Sequence, residues 1–552
     1  MIIKMQHLDL LCVAADKENT LTKLRELGVV HLDLASAQGA EVAAAKGEAA
    51  DAEKAVRAIF KARADLKRSG EDSVRPTACA VADILALVDE IDAKKAESEA
   101  LKREIAVYAP YGDFDPVLAQ KLLDKGVDLA SVATLPAKLP RKRLSALEAD
   151  LVALEQATAE AMAKLADADD GSILGSFPEL GDRIAFAAAK ELMAESGAVA
   201  CVSGWVPETL VAKLRACVAE NGWGVLLRAP AEGETPPTLV EPPKLFRPMK
   251  ALFDGLGIAP AYTEADVSVP FMCYFSLFFA MLVGDGAYGA IFLAGTLAMA
   301  KKLPKSWFVL LTFFSSATVV WGLLSNTWFG AAIPACANWP TVKWLADPSY
   351  HNMMLLCFTI GVSHLMLARI WNGICRLPDS TAIAEFGWAG VLLFMYLVTN
   401  SIVGIFAGIP SWAFYVFGVS LVAVFGFSVK PSELKTRGAE LGMLPLNIMS
   451  ALGDIISYVR LFAVGLASVK VAENFNAMAT GLVAGEGAVW VKALLSVAMV
   501  LILVVGHGLN LAMAGLSILV HAVRLNTLEF SNHKGVSWAG YAFRAFARKA
   551  GK

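Results

Sequence analysis

After residue 265 the chain almost stops using charge. Asp285 is the only charged residue between Asp266 and Lys301, and none occurs between Lys305 and Lys343 or between Glu385 and Lys430. Such runs exceed the roughly 20 apolar residues that a helix needs to cross a bilayer. The whole chain, 552 residues with 56% hydrophobic and 18% charged, is too apolar for an ordinary soluble protein of this size. Its carboxy-terminal half therefore reads as membrane. A net charge of -3 gives no global basic character, which removes the electrostatic footing for a nucleic-acid partner.

Candidate spans are residues 268–284, 286–300, 306–330, 352–371, 386–407, 411–429, 444–481 and 488–527. The first two could be one long helix or two short ones turning at GDGAYG, and loop charge arbitrates. With eight spans and the amino terminus inside, the cytoplasmic loops carry Lys301, Lys302 and Lys305, then Arg369 and Arg376, then Lys430, Lys435 and Arg437. The tail on the same side carries Arg544, Arg548, Lys549 and Lys552, whereas the opposite loops hold GIPS, GEG and a 331–350 segment with little more than Lys343. This is the positive-inside pattern. It predicts a multi-pass protein of the cell inner (plasma) membrane with its amino-terminal domain and its tail cytoplasmic. Lys4, Asp9 and Asp16 interrupt the opening MIIKMQHLDLLCVAADKENT, so it lacks the apolar region of a cleavable signal. The cysteines, Cys12, Cys79, Cys201, Cys217, Cys273, Cys336, Cys357 and Cys375, form no CxxC pair and predict neither zinc nor a disulfide framework. No cofactor is expected.

The first half is charged throughout and predicts an α+β fold. MIIKMQHLDLLCVAA reads as a strand, TLTKLRELG as a helix and VVHLDLA as a second strand, together a small α/β lobe. From Gly39 to Ser69 the chain is rich in Ala, Glu, Lys and Arg. Ile84, Leu87, Ile91, Leu101, Ile105 and Tyr108 then fall on one heptad grid, and Leu147, Leu151, Leu154 and Leu165 on another. These predict the arms of a long antiparallel coiled coil, a strut suited to docking other proteins. A second α/β lobe follows in AVACVSGWVPETLVAKLRACVAENGWGVLLR, read as strand, turn, helix and strand. The Pro-rich TPPTLVEPPKLFRP is a stiff linker. The expected organisation is an arm over residues 1–234, a linker over 235–265, an all-α membrane domain over 266–530 and a tail over 531–552.

Two membrane segments carry the chemistry. In DIISYVRLFAVGLAS, Arg460 is surrounded by Ile455, Ile456, Val459, Leu461, Phe462, Val464 and Leu466. A guanidinium cannot shed its proton to escape burial, and near a helix centre it costs on the order of 3 kcal/mol by insertion scales. Such an arginine needs a partner or an aqueous path. In the last apolar segment His507, Asn510, Ala514, Ser517, His521, Arg524 and Leu528 recur at spacings of three and four, which predicts a polar stripe on one helix face. The bland alternative is that these groups hydrogen-bond within the bundle while Arg524 snorkels to the interface. The sharper reading is a pair of partial ion paths. An arginine between them would repel the passing cation and attract a carboxylate on a partner, and the small residues Ala463, Gly465, Ala467 and Ser468 would let that partner's helix approach. No Walker-type loop, HExxH or nucleophile elbow is present, so any ATP is hydrolysed on another chain.

These segments, together with LRELGVVHLDL, SGWVPETLVAKL, PPTLVEPPKLFRPMKALFDGLG, GDGAYG, GLLSNTWFG, IGVSHLMLARIWNG and GLSILVHAVRLNTLEF, closely resemble in sequence and order the stator a-subunit, or subunit I, of prokaryotic V/A-type rotary ATPases. The resemblance runs over almost the full chain. It implies a non-catalytic subunit whose cytoplasmic arm binds peripheral stalk subunits and the central-stalk cap subunit. It also implies about eight transmembrane helices in the lipid bilayer beside a proteolipid rotor ring (subunit c or K), and coupling of H+ or Na+ movement to rotation. The family's essential arginine falls on Arg460 and its second arginine on Arg524. The variable polar residue one turn before the latter is His521, and the acidic residue one turn after it is Glu529. A glutamate of the eukaryotic relatives is Ala514 here and a histidine is Ser468, which leaves His507, Asn510 and Ser517 as substitutes on physical grounds. Two other readings compete. A secondary transporter could use Arg460 to bind an anionic substrate, but the spans show neither repeated halves nor a broken helix pair flanking the arginine. A membrane-anchored scaffold would leave Arg460 and the stripe without a use.

Overall fold

The computed structural model describes residues 2–34, 36–66, 80–125, 139–231, 233–345, 347–430, 434–483 and 489–548. Cys79, the end of the 39–69 stretch, the GEG loop at 485–487, Lys549 and Lys552 lie outside the described residues, as do the side chains of Lys435 and Arg437. The chain forms two compact units, one of Met1–Met5 with Pro230–Phe543 and the other of Gln6–Ala229 with Arg544–Lys552.

The second of these units begins with β1 (Met5–Val13) and α1 (Lys17–Leu27). Then come α2 (Ala40–Asp65), α3 (Val81–Tyr108), the short α4 (Pro116–Asp124), α5 (Leu144–Ala166) and α6 (Asp170–Leu192). It closes with β2 (Ala194–Ser196), β3 (Val199–Pro207), α7 (Val211–Asn221) and β4 (Gly224–Arg228). The strands from both ends of this stretch share a single sheet of order β2-β3-β1-β4, with β4 antiparallel to β1 and Leu8 opposite Leu227. The sequence reading places them in separate lobes. β1 buries Leu8, Leu10 and Cys12 and has two backbone edges to satisfy, and β3 and β4 from the far end of the unit cover them. The strand expected at VVHLDLA reduces to one bridge between His31 and Trp205. There the backbones approach so closely that a Cβ on Gly204 would lie 2.5 Å from the His31 carbonyl oxygen.

The heptad residues do meet. α3 packs on α5, α2 on α6, and α2 touches both α3 and α5. Ile84, Ile91 and Leu165 are buried against Ala52, Ala55 and Ile59. The alanines of α2 let neighbouring helices come close, and Arg63 finishes the end of α5. Its Nε donates to the Ala166 carbonyl (2.8 Å) and its Nη2 to that of Ala168 (2.9 Å), while Nη1 pairs with Asp170 at 3.0 Å. A cation thus satisfies carbonyls left open at a helix C-terminus.

Residues 544–548 belong to this unit. Phe546 is buried in the sheet core, its N–H donates to the Val30 carbonyl (2.7 Å), and the Arg544 N–H donates to His31 Nδ1 (3.0 Å). Burial pushes the His31 imidazole below its ordinary value. The folded state therefore binds fewer protons than the unfolded one, and stability falls as pH drops through the unfolded value of about 6.5. Proteolysis at Arg544 and Arg548 should be faster at pH 5.5 than at pH 7.5. His31→Gln should flatten that difference, and an unchanged pH profile in the variant would remove His31 as its cause.

The other unit holds α8 (Met249–Leu256), α9 (Ser268–Val283), α10 (Gly286–Ala298), α11 (Lys305–Ser325) and the short α12 (Pro340–Leu345). It continues with α13 (His351–Arg376), α14 (Thr381–Ile402), α15 (Ser411–Phe427), α16 (Leu434–Ile456), α17 (Val459–Val483), α18 (Val489–Ser517) and α19 (Ser531–Lys534). Among the described residues, five stretches are long and apolar enough to cross a membrane: 305–325, 351–376, 381–402, 441–483 and 490–534. α9 and α10 qualify together as a pair bent by 118°, and α15 is a shorter apolar helix. The bend lies at GDGAYG, where loop charge had to decide between one helix and two. Gly284 takes the left-handed φ of +70° that ends α9. Asp285 then caps α10, accepting the Ala287 N–H (2.8 Å), and its other oxygen accepts the Gly330 N–H (2.8 Å). Thr327 closes the joint by donating to the Gly284 carbonyl (2.6 Å) and accepting the Gly286 N–H on its own carbonyl (2.9 Å). The GDGAYG and SNTWFG motifs thus pin each other.

Candidate functional site

Arg460 lies in the first turn of α17, its side chain 21% exposed. Its nearest acid is Glu529, whose Oε1 lies 3.9 Å from Nη1, 3.5 Å from Arg524 Nε and 3.3 Å from the donating Ser457 hydroxyl. Glu529 is buried while Arg524 is more than half exposed. Among the described residues, Arg460 Nη1 and Glu529 Oε2 have no hydrogen-bond partner. A buried donor and acceptor left open side by side suit water or a further carboxylate, because each unmade bond costs about 1–3 kcal/mol.

Local backbone brings Glu529 there. Ile518–Ala522 and Leu525–Phe530 are π-helical turns, whose bonds span five residues instead of four. Residues five apart then stack, so Glu529 comes over Arg524 while Leu528 points outward, 49% exposed. The even spacing of three and four that the sequence suggests ends near Ser517. The stripe divides accordingly. His507 and Asn510 form a second cluster, with His507 Nδ1 2.8 Å from the Tyr288 hydroxyl and Nε2 3.1 Å from Asn476 Oδ1. Asn510 donates to Tyr288 (3.0 Å) and to the Ser468 carbonyl (2.8 Å), and Ser468 Oγ donates to Asn510 Oδ1 (3.2 Å). Ser517 and His521 are half-buried between the two clusters.

Two cavities are lined by residues of the helices on either side of the Arg460 joint, α16 and α17. One, of about 540 Å³, is lined by Arg369, Arg376, Glu385, Asn447, Asp454 and His533. Glu385 pairs with Arg376 (2.9 Å) and Arg369 (3.2 Å), and His533 Nε2 lies 3.0 Å from Asp454 Oδ2. The Ser457 hydroxyl lies between the Asp454 carbonyl (2.7 Å) and Glu529 Oε1 (3.3 Å) and shares its one hydrogen between them, so the polar groups run from this cavity to the arginine pair. The other cavity, of about 230 Å³, lies farther along α17 beside Thr327, Tyr350, Lys470 and Glu473.

No family model matches the chain. Curated relatives do. The chain is 26% identical to V-type ATP synthase subunit I 1 of Treponema pallidum, with the whole of both chains covered. It is 32% identical to V-type ATP synthase subunit I of Borreliella burgdorferi over 63% of this chain and 60% of that one. It is 23% identical to A-type ATP synthase subunit I of Methanocaldococcus jannaschii over 71% of this chain and 62% of that one. The chain is homologous to subunit I of V-type and A-type ATP synthases, in one case over its whole length.

Sequence reasoning singled out Arg460, Arg524 and Glu529, and the structure brings these three together. It missed Arg369, Glu385 and His533, because charges near span ends were counted as topology signals. A carboxylate and an arginine sixteen residues apart, each inside an apolar run, would have been the clue. The small residues of α17 also divide. Gly465 and Ser468 face α9, where Gly465 lets the Met281 carbonyl approach, while Ala463 and Ala467 are exposed on the side that carries Arg460.

Proposed function

We propose that this chain is the stationary membrane subunit of a rotary V/A-type ATPase, non-catalytic itself, in which Arg460 meets the ion-binding carboxylates of a proteolipid rotor ring. The observation that carries the reading is the arginine pair around Glu529 with open hydrogen-bonding atoms. It lies beside a bare face formed by Ala463 and Ala467 of α17 and by α18, where Leu501, Val505, Leu509 and Leu516 are exposed. Lipid or another helix can cover an apolar face in a membrane, and small residues such as Ala463 and Ala467 favour close approach by a helix. The cavity at Asp454 and the one at Lys470 serve as the two half-channels. A cation entering by one must leave through the rotor, because the fixed charge of Arg460 bars the direct route. Either H+ or Na+ fits this scheme. The long helices α2, α3, α5 and α6 then dock the stalk subunits, with the amino-terminal unit and the tail cytoplasmic.

Cysteines placed singly at Ala463 and Ala467 should form cross-links to a small proteolipid in native membranes, and one at the buried Ala472 should not. Adducts at Ala472 alone, or none at Ala463 and Ala467 in assembled complexes, would move the rotor elsewhere.

A further inference from the structure

The backbone changes its bonding just before Arg460. Tyr458 N–H donates to the Ile455 carbonyl (3.1 Å), Arg460 N–H to Ser457 (3.2 Å) and Leu461 N–H to Tyr458 (3.0 Å), each a three-residue step between α16 and α17. Three residues per turn instead of 3.6 turns the chain by roughly 20° more for each residue so bonded. The direction in which Arg460 points is therefore set by this joint.

One side chain locks it. Tyr458 is fully buried, with its ring against Gly361 of α13, where a Cβ would come 2.6 Å from the ring. Its hydroxyl lies 2.8 Å from Nδ1 of His364, one turn farther along α13. The buried His364 ring is stacked between Tyr274 (centroids 4.0 Å) and Phe530 (4.4 Å). Phe530 follows Glu529 at the end of a π-helical turn. A single imidazole thus touches the residue two before Arg460 and the residue one after Glu529.

We propose that His364 and Tyr458 are positioning residues for ion coupling, a reading that rests on the role given above to Arg460. Their hydrogen bond fixes the phase of the α16–α17 joint, and the stack on Phe530 fixes the turn that carries Glu529. The guanidinium and the carboxyl are so held near each other without closing into a hydrogen bond. In an apolar interior a bond between two neutral groups resists displacement because neither group has water to turn to.

The test measures ATP-driven ion uptake per assembled complex in vesicles. Tyr458→Phe removes one oxygen and no volume, and should lower pumping roughly tenfold at unchanged assembly, as small misplacements of a working group do. His364→Asn keeps a hydrogen-bonding group near the Nδ1 position and His364→Leu does not, while both lose the ring stacks. The Asn variant should pump several-fold better than the Leu variant. Equal or better pumping by His364→Leu would show that the site serves packing only, and wild-type pumping by Tyr458→Phe would also overturn the proposal. If Tyr458→Phe fails to assemble, the Asn and Leu pair decides. Arg460→Ala in the same series separates the two claims. A pumping Arg460→Ala complex sinks the stator reading, whereas a dead one beside a normal Tyr458→Phe sinks the positioning role alone.

Discussion

Arg460→Ala is expected to reduce ATP-driven ion pumping by at least about 100-fold while leaving the complex assembled, the scale of loss when one preorganised charged or polar donor is removed from an electrostatic site. The guanidinium is only 21% exposed and its Nη1 lacks a hydrogen-bond partner among the described residues, so little of the fold depends on it. Glu529 keeps Arg524 and Ser457 as neighbours after the substitution, and no buried carboxyl is stranded. Loss of pumping would then report function and not collapse. Arg460→Lys should recover part of the activity, since it restores a point charge but not the planar fork. Pumping by Arg460→Ala at wild-type rates, with assembly verified, would make the arginine structural.

Asp285→Ala should give the largest loss of stability. Its two oxygens accept the Ala287 and Gly330 N–H groups in a site with no exposure. Removing them orphans two buried donors at about 1–3 kcal/mol each, and the cap of α10 is lost with them. A fall in melting temperature of roughly 5–10 °C in detergent follows from the usual scaling for a large unit. Asp285→Asn keeps one good acceptor and should fall about half as far. A melting temperature within a degree of wild type for Asp285→Ala would mean that the GDGAYG joint is held by Thr327 and the helix packing instead.

The sequence made the membrane half and its arginines legible for one reason: charge in an apolar run is costly whatever the fold, so each instance stands out without knowledge of neighbours. Arg460, Arg524 and Glu529 were found in this way or through the family resemblance. Glu385 and Arg369 follow the same rule but sit near span ends, where a charge has a cheaper explanation. Ser457 and Tyr458 carried no distinguishing signal, since a hydroxyl in a membrane helix usually bonds its own backbone.

Local pattern also determined the helices of the arm, because Ile84, Ile91, Leu147 and Leu165 must find an apolar surface wherever the chain leads. Which surface was not written locally. The pairing of β1 with β4 joins residues near position 8 to residues near 227, and a strand's edges do not encode the partner that will cover them. The π-helical turns escaped for a related reason. A five-residue bond is poorer than a four-residue one in isolation and persists only where packing rewards it, here by burying Glu529 and Phe530. The sequence by itself determined that this chain enters a membrane and carries a fixed positive charge there. Tertiary packing alone decided which carboxyl that charge would face, because the phase of two helices is set by what they touch and not by their own periodicity.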